Sequence, residues 1–293
     1  MNKFNPQVVI HTAAWVDVDG CEENPAKAKE SNETLTKIVV SASPKKAKIV
    51  YISTEQVFPG NKACAKESDP TRPINTYGRT KLAGEQIVQK SGNPHLIVRT
   101  NFFGWSSGRK KTFGEWLIQS LREKQSIRLF TDFYFTPLYA ELMVDRLEHL
   151  LKKDAQGVVH LGGRDRVSKY EFGKKLARMS GLSFGSVKDA RMDSVASLAP
   201  RPKDISLNSD RAEALLGTKS PTLGKSLQLF LRDEKAFKPA TLMKRKRISQ
   251  SFPYAGQSID SSDIRPVTGV LKSDLGTNQG LQGCARRRVK RNL

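Results

Sequence analysis

The chain has 293 residues, 50 Lys and Arg against 29 Asp and Glu, and a formal net charge of +21. No apolar run reaches the roughly 18 residues of a membrane-spanning helix, and the opening MNKFNPQVVIHTAAW runs into Asp17, Asp19, Glu22 and Glu23, which does not read as a signal peptide. Three widely spaced cysteines, Cys21, Cys64 and Cys284, give neither a disulfide framework nor a zinc site, so the expectation is a reducing, cytoplasmic setting with no metal and no membrane partner.

The charge is unevenly placed. From Ala236 to Leu293 there are 12 Lys and Arg against 3 Asp and Glu, including Lys244-Arg245-Lys246-Arg247 and Arg286-Arg287-Arg288. This stretch is rich in Ser, Gly, Thr and Gln without apolar periodicity, which predicts a disordered basic tail over 236–293. No aromatic-interleaved basic face accompanies the charge, so a nucleic-acid partner is disfavoured.

Residues 1–235 alternate strand and helix. Val8–His11 reads as a buried strand and Pro25–Ser43 as a helix ended by Pro44. Lys48–Ile52 is the next strand. A loop with Pro59-Gly60, Asp69-Pro70 and Pro73 follows, then a helix over Thr76–Gln89. His95–Arg99 is a strand, and Thr112–Glu123 a helix with Phe113, Trp116, Leu117 and Leu121 on one face. Next come strand Ile127–Phe130, helix Leu138–Leu151, strand Gly157–Leu161 and helix Ser168–Met179 behind a Ser cap. Shorter helices are predicted over Ser209–Leu216 and Leu223–Leu231. Uniformly apolar strands alternating with helices predict an α/β fold, a doubly wound parallel sheet covered on both faces.

In such a sheet, ligands collect at the carboxyl ends of the strands. Strand Lys48–Ile52 ends in Ser53-Thr54-Glu55, and Tyr77 and Lys81 lie four apart at the start of the following helix, on one face. A Tyr exchanging a proton with a carbonyl oxygen is helped toward tyrosinate by a nearby ammonium. A hydroxyl from a strand end can hold the oxygen. Thr54, Tyr77 and Lys81 together are sufficient for acid–base work on a ketone or alcohol, given a hydride donor.

The motifs around these residues resemble the extended short-chain dehydrogenase/reductase family, in particular its dTDP-4-dehydrorhamnose reductase branch. Residues 8–14 (VVIHTAA) resemble a strand and its "N-A-A" turn, and 17–22 (DVDGCE) the acidic segment after it. Asn32 matches a "V-N" helix position. Residues 51–60 (YISTEQVFPG) resemble "H-I-S-T-D-Y-V-F-D-G", and 73–85 (PINTYGRTKLAGE) resemble "P-x-N-x-Y-G-x-S-K-L-x-G-E". Residues 96–100 (LIVRT) match the next strand, and 201–207 (RPKDISL) resemble "R-P-x-x-S-x-L". The resemblance covers about residues 5–233. It implies NADPH- or NADH-dependent reduction of a 4-keto nucleotide sugar in deoxysugar synthesis. Tyr77 would be the acid, Lys81 its partner and a ribose ligand, and Thr54 the orienting hydroxyl. Asn32 would support the site's hydrogen bonding. Ala13, Ala14, Ser53 and Arg99, with Tyr77 and Lys81, would line the cofactor cleft. Thr54, Glu55, Asn101 and Arg201 would meet the substrate, whose binding part would lie mainly in 101–140 and 160–235.

The sequence departs from the family in three places. No Gly-rich phosphate-binding turn stands upstream of Val8, so a Rossmann-like sheet truncated at its N-terminal side is expected, with Val8–His11 as an exposed apolar edge. On its own the chain is then expected to bind the dinucleotide poorly. Three readings stay open: a misassigned start, a partner chain that supplies the missing strands, or gene decay that leaves a non-catalytic or inactive relative; a homodimer is a separate possibility. Glu55-Gln56 replaces the family's Asp-Tyr, which bears on the choice of sugar. The stretch 101–105 (NFFGW) either shapes a pocket or packs.

Overall fold

The structure is a computed structural model, which describes residues 5–106, 111–194 and 199–234. The basic segment 236–293 lies outside the described residues. In chain order the elements are β1 (Val8–His11), α1 (Val18–Glu23), α2 (Pro25–Lys29), a π-helical turn (Glu30–Thr34), α3 (Leu35–Ala42), β2 (Lys48–Thr54), α4 (Thr76–Gln89), β3 (His95–Thr100) and β4 (Phe102–Phe103). They continue with α5 (Phe113–Arg122), β5 (Ile127–Phe130), β6 (Tyr134–Phe135), β7 (Leu138–Tyr139), α6 (Ala140–Lys152), β8 (Gly157–Leu161), β9 (Val167–Ser168), α7 (Lys169–Ser180), β10 (Val187–Ala190), α8 (Asp210–Leu216) and α9 (Leu223–Asp233). No helix among the described residues is long and apolar enough to cross a membrane.

The central sheet has the order β1-β2-β3-β8, every pairing parallel. Its middle strands are apolar on both faces because both faces are covered. Ile49, Tyr51 and Ile97 pack with Val88 of α4 on one side. Val50, Leu96, Val98 and Val159 pack with Leu147 and Leu150 of α6 on the other. β1 differs. Val9 is buried with Val39 and Ala47, whereas Val8 and Ile10 are 42% and 51% exposed. Among the described residues no strand pairs with the outer side of β1. The apolar edge predicted from sequence is present, and one face of that strand is bare as well.

The other half of the molecule is held by an aromatic core. Phe103, Phe135, Phe172 and Phe230 are buried together with Leu117, Leu121, Leu176 and Leu227. Phe103 meets Phe172 edge-on at 5.0 Å and Phe230 at 5.5 Å. Trp105 stacks on Phe230 at 4.3 Å, its indole N–H donating to Phe230 O at 2.7 Å. In the stretch 101–105, then, Phe103 and Trp105 pack, and Phe102 is exposed.

Two elements differ from their predicted form. The helix predicted over Pro25–Ser43 is interrupted by the π-helical turn, in which Asn32 is buried. The helix predicted from Leu138 begins at Ala140, because the Leu138 N–H is taken by Asn101 O at 3.1 Å and Leu138–Tyr139 pairs with β4. Sequence periodicity carries no information on that long-range partner.

His11 and His160 are buried and neutral, each pushed down from 6.5 to about 3 chiefly by burial, with Lys81 and Arg99 respectively adding to the effect. His160 Nδ1 donates to Ala65 O at 3.1 Å and Asn208 O at 3.2 Å, and its buried Nε2 has no partner among the described residues. Between pH 6.5 and 3 the unfolded chain binds protons that the folded one refuses, so stability falls as pH drops through that window. Urea unfolding of His160→Gln across it should lose a pH slope of about one proton, about 1.4 kcal/mol per pH unit. An unchanged slope would show that His160 is not held neutral.

Candidate active site

The site gathers at the carboxyl ends of β1, β2 and β3, where the start of α4 meets the sheet. α4 is fixed there by its first turn. Asn75 caps it, accepting from Gly78 N–H at 2.8 Å while its amide donates to Gln56 Oε1 and Pro200 O, both at 3.0 Å. Glu22 of α1 accepts from Thr76 N–H at 2.8 Å. Two glycines permit the close approach: a Cβ at Gly78 would lie 2.3 Å from Gln56 O, and one at Gly84 would lie 2.2 Å from the Tyr51 hydroxyl.

This places Tyr77 and Lys81 on the buried face of α4. Burial and the neighbouring Glu55 carboxylate push the Tyr77 phenol up, and a hydrogen bond with Thr54 works against that. The phenol is thus kept protonated, as a proton donor must be. Lys81 Nζ donates to Ile52 O at 2.7 Å and lies 4.1 Å from the centre of the Tyr51 ring. Burial pulls its ammonium down to about 7, with Glu85 opposing. The expectation from spacing, that Lys81 draws Tyr77 toward tyrosinate, is not met. Lys81 turns to the sheet backbone, and the dominant influences on Tyr77 are burial and Glu55.

Thr54 ends β2. Its hydroxyl donates to Glu55 Oε2 at 3.0 Å and accepts from Gln56 N–H at 3.2 Å. Asn101 Nδ2 donates to Glu55 Oε1 at 2.9 Å. Burial pushes the Glu55 carboxyl up; the hydrogen bonds from Asn101 and Thr54 and the charge of Lys169 act the other way. Asn32 lies behind this cluster, accepting from Trp15 N–H at 2.7 Å and donating to Trp15 O and Thr80 Oγ1, both at 3.0 Å. Ala13 and Ala14 follow β1, Ala14 buried. Arg201 pairs with Asp19 of α1 at 2.5 Å, tying the chain after residue 199 to the N-terminal half.

Ser53 and Arg99, expected along the cofactor cleft, are buried. Both reach Glu85. Ser53 Oγ donates to Glu85 Oε1 at 2.5 Å. Arg99 Nε donates to Oε1 at 3.0 Å and Nη2 to Oε2 at 2.7 Å, with side-chain exposures of 5% and 1% for the pair. The Arg99 guanidinium also lies 5.1 Å from the centre of the Phe58 ring. In the sequence Glu85 is visible as the third member of a Tyr77, Lys81, Glu85 series at helical spacing, but spacing alone does not say what it binds. Lys169, the first residue of α7, gives no sequence signal at all, and it too faces Glu55. Removing one member of a buried ion pair leaves the other charge stranded. Glu85→Gln should therefore lower the unfolding free energy by about 3–5 kcal/mol, read by urea denaturation. A loss within experimental error of zero would show that the pair does not hold α4.

Comparison with known proteins places the chain among reductases of similar sequence and fold. The chain is 29% identical over 228 residues to the probable low-salt glycan biosynthesis reductase Agl14 of Haloferax volcanii, covering 76% of each chain. It is 29% identical over 223 residues to the dTDP-4-dehydrorhamnose reductase of Salmonella typhimurium, covering 72% of this chain and 74% of that one. The crystal structure of a Bacillus anthracis dTDP-4-dehydrorhamnose reductase in complex with NADP superposes with a TM-score of 0.73 at 27% identity, covering 79% and 82%. The family described as the RmlD substrate binding domain matches residues 1–236. On that span, and on the parallel sheet and strand-end site just described, the chain belongs to the RmlD substrate binding domain family.

Proposed function

We propose that the protein reduces the 4-keto group of a nucleotide sugar of the dTDP-4-dehydrorhamnose type, for glycan or deoxysugar synthesis, using NADPH or NADH. The observation that carries this reading is the convergence of Thr54, Tyr77 and Lys81 at the sheet end, with Tyr77 buried and protonated. Tyr77 gives its phenolic proton to the former keto oxygen, and Thr54 orients that oxygen. Lys81, whose only oxygen partner among the described residues is Ile52 O, has N–H donors left for ribose hydroxyls. Glu55 and Asn101 fix the Thr54 hydroxyl, and Arg201 stands on the nucleotide-sugar side. Ser53 and Arg99 act through Glu85 by holding α4, not by touching the dinucleotide.

The residues fit the nicotinamide and ribose half of the cofactor. Ala13 and Ala14 are small enough to let a flat ring approach the end of β1, and Lys81 holds spare donors. When bound, NAD(P)H supplies the hydride. The pyrophosphate half needs a Gly-rich turn beside β1, and the described residues do not form one. The free thiols of Cys21 and Cys64 suit a cytoplasmic setting.

A second reading is a binding or regulatory subunit that keeps the fold without turnover. The test is NADPH oxidation with dTDP-4-dehydrorhamnose by the chain joined to the strand–turn–helix units that complete the family's cofactor cleft. Tyr77→Phe should cut kcat about a hundred- to ten-thousandfold while leaving substrate binding in place. Turnover that survives Tyr77→Phe would refute the assignment of the acid, and no turnover in the parent would favour the subunit reading.

A further inference from the structure

Lys169 opens α7, directly after the Ser168 cap. Its backbone N–H donates to Phe133 O at 3.2 Å. Its ammonium lies 3.7 Å from the centre of the Phe135 ring, 4.1 Å from that of Phe113 and 5.2 Å from that of Phe133. Ring faces attract a cation but accept N–H protons poorly. Among the described residues no oxygen takes up those three donors. The rings come from α5 and from the β5–β6 segment, so the lysine is held by three separate points of the substrate half.

Two charges face the ammonium. Glu55, at the end of β2, favours its protonation. Arg201 opposes it. Glu55 already accepts from Thr54 and Asn101, and Asp19 pairs with Arg201. The fold thus brings two cations near each other beside the Thr54–Tyr77 centre, one of them with donors to spare. Such a pair is stabilised when a dianion meets both. A nucleotide sugar carries one next to its sugar, in the diphosphate.

We propose that Lys169 is a substrate-binding residue that donates its ammonium N–H groups to the diphosphate of the nucleotide sugar, with the rings of Phe113, Phe133 and Phe135 holding the side chain in position. This rests on the nucleotide-sugar reading above and adds the residue that recognises the phosphates. Charge-assisted bonds of this kind are short and strong, and the aromatic walls limit how far the ammonium strays before substrate arrives.

The test is calorimetric titration of the 293-residue chain with dTDP and, separately, with thymidine. Lys169→Met keeps an apolar stem against the rings and removes the charge. It should weaken dTDP binding about tenfold or more and leave thymidine binding unchanged, and Lys169→Gln should do the same. Lys169→Arg should retain most of the dTDP affinity. Unchanged dTDP binding in Lys169→Met and Lys169→Gln overturns the assignment while leaving the nucleotide-sugar reading intact. Equal weakening of dTDP and thymidine also overturns it, since that is the signature of a disturbed pocket. A parent chain that binds neither ligand overturns the nucleotide-sugar reading and this proposal together.

Discussion

The ion pair between Glu85 and Arg99 is the constraint on which the site depends. Glu85 is fully buried on α4, and Arg99 is nearly so on β3. Water contributes little to either charge, so the two must meet at short range, and they do so through parallel hydrogen bonds. Ser53 of β2 adds a third donor. One carboxylate therefore joins a helix to two strands, and a rotation of α4 would expose an unpaired charge to the apolar interior. Tyr77 and Lys81 share the helix face of Glu85, and their positions at the sheet end follow from it.

The electrostatics of the site follow from the same burial. An ammonium shielded from water loses its proton more readily, which brings Lys81 down to about 7. A phenol in the same surroundings holds its proton more tightly, the more so beside Glu55. The two histidines obey the same rule: burial keeps both neutral, and the charges of Lys81 and Arg99 reinforce it.

Near the site the halves of the molecule are joined by apolar contacts, Ala199 with Trp15 and Tyr77 and Leu207 with Val57 and Phe58, and by polar ones. Asp19 with Arg201, Asn75 with Pro200 O, and Glu55 with Asn101 each run between the sheet half and the segments that follow. The substrate half has its own aromatic core.

Much of the fold is legible in the sequence. Strands such as β2 and β3 are unbroken runs of apolar residues, and local pattern suffices to find them. The 73–85 motif is dense because its residues do different physical work. Asn75 caps the helix, Gly78 and Gly84 let other groups approach the backbone, and Tyr77, Lys81 and Glu85 share a face. What pattern does not supply is the partner of each polar side chain. Arg99 and Ser53 stand at strand ends, where cofactor ligands are expected, yet the fold turns both toward Glu85. Lys169 looks like any lysine after a serine cap, and only the meeting of α5, the β5–β6 segment and α7 surrounds it with rings. Asn32 is turned inward by a π-helical turn that periodicity does not signal. The sequence by itself determined the parallel sheet, the placing of Tyr77 and Lys81 on one helix face and the apolar character of β1, since these rest on local spacing and on the hydrophobicity of single segments. Tertiary structure decided which charges meet, because a buried ion pair or a caged ammonium depends on residues brought together from distant parts of the chain.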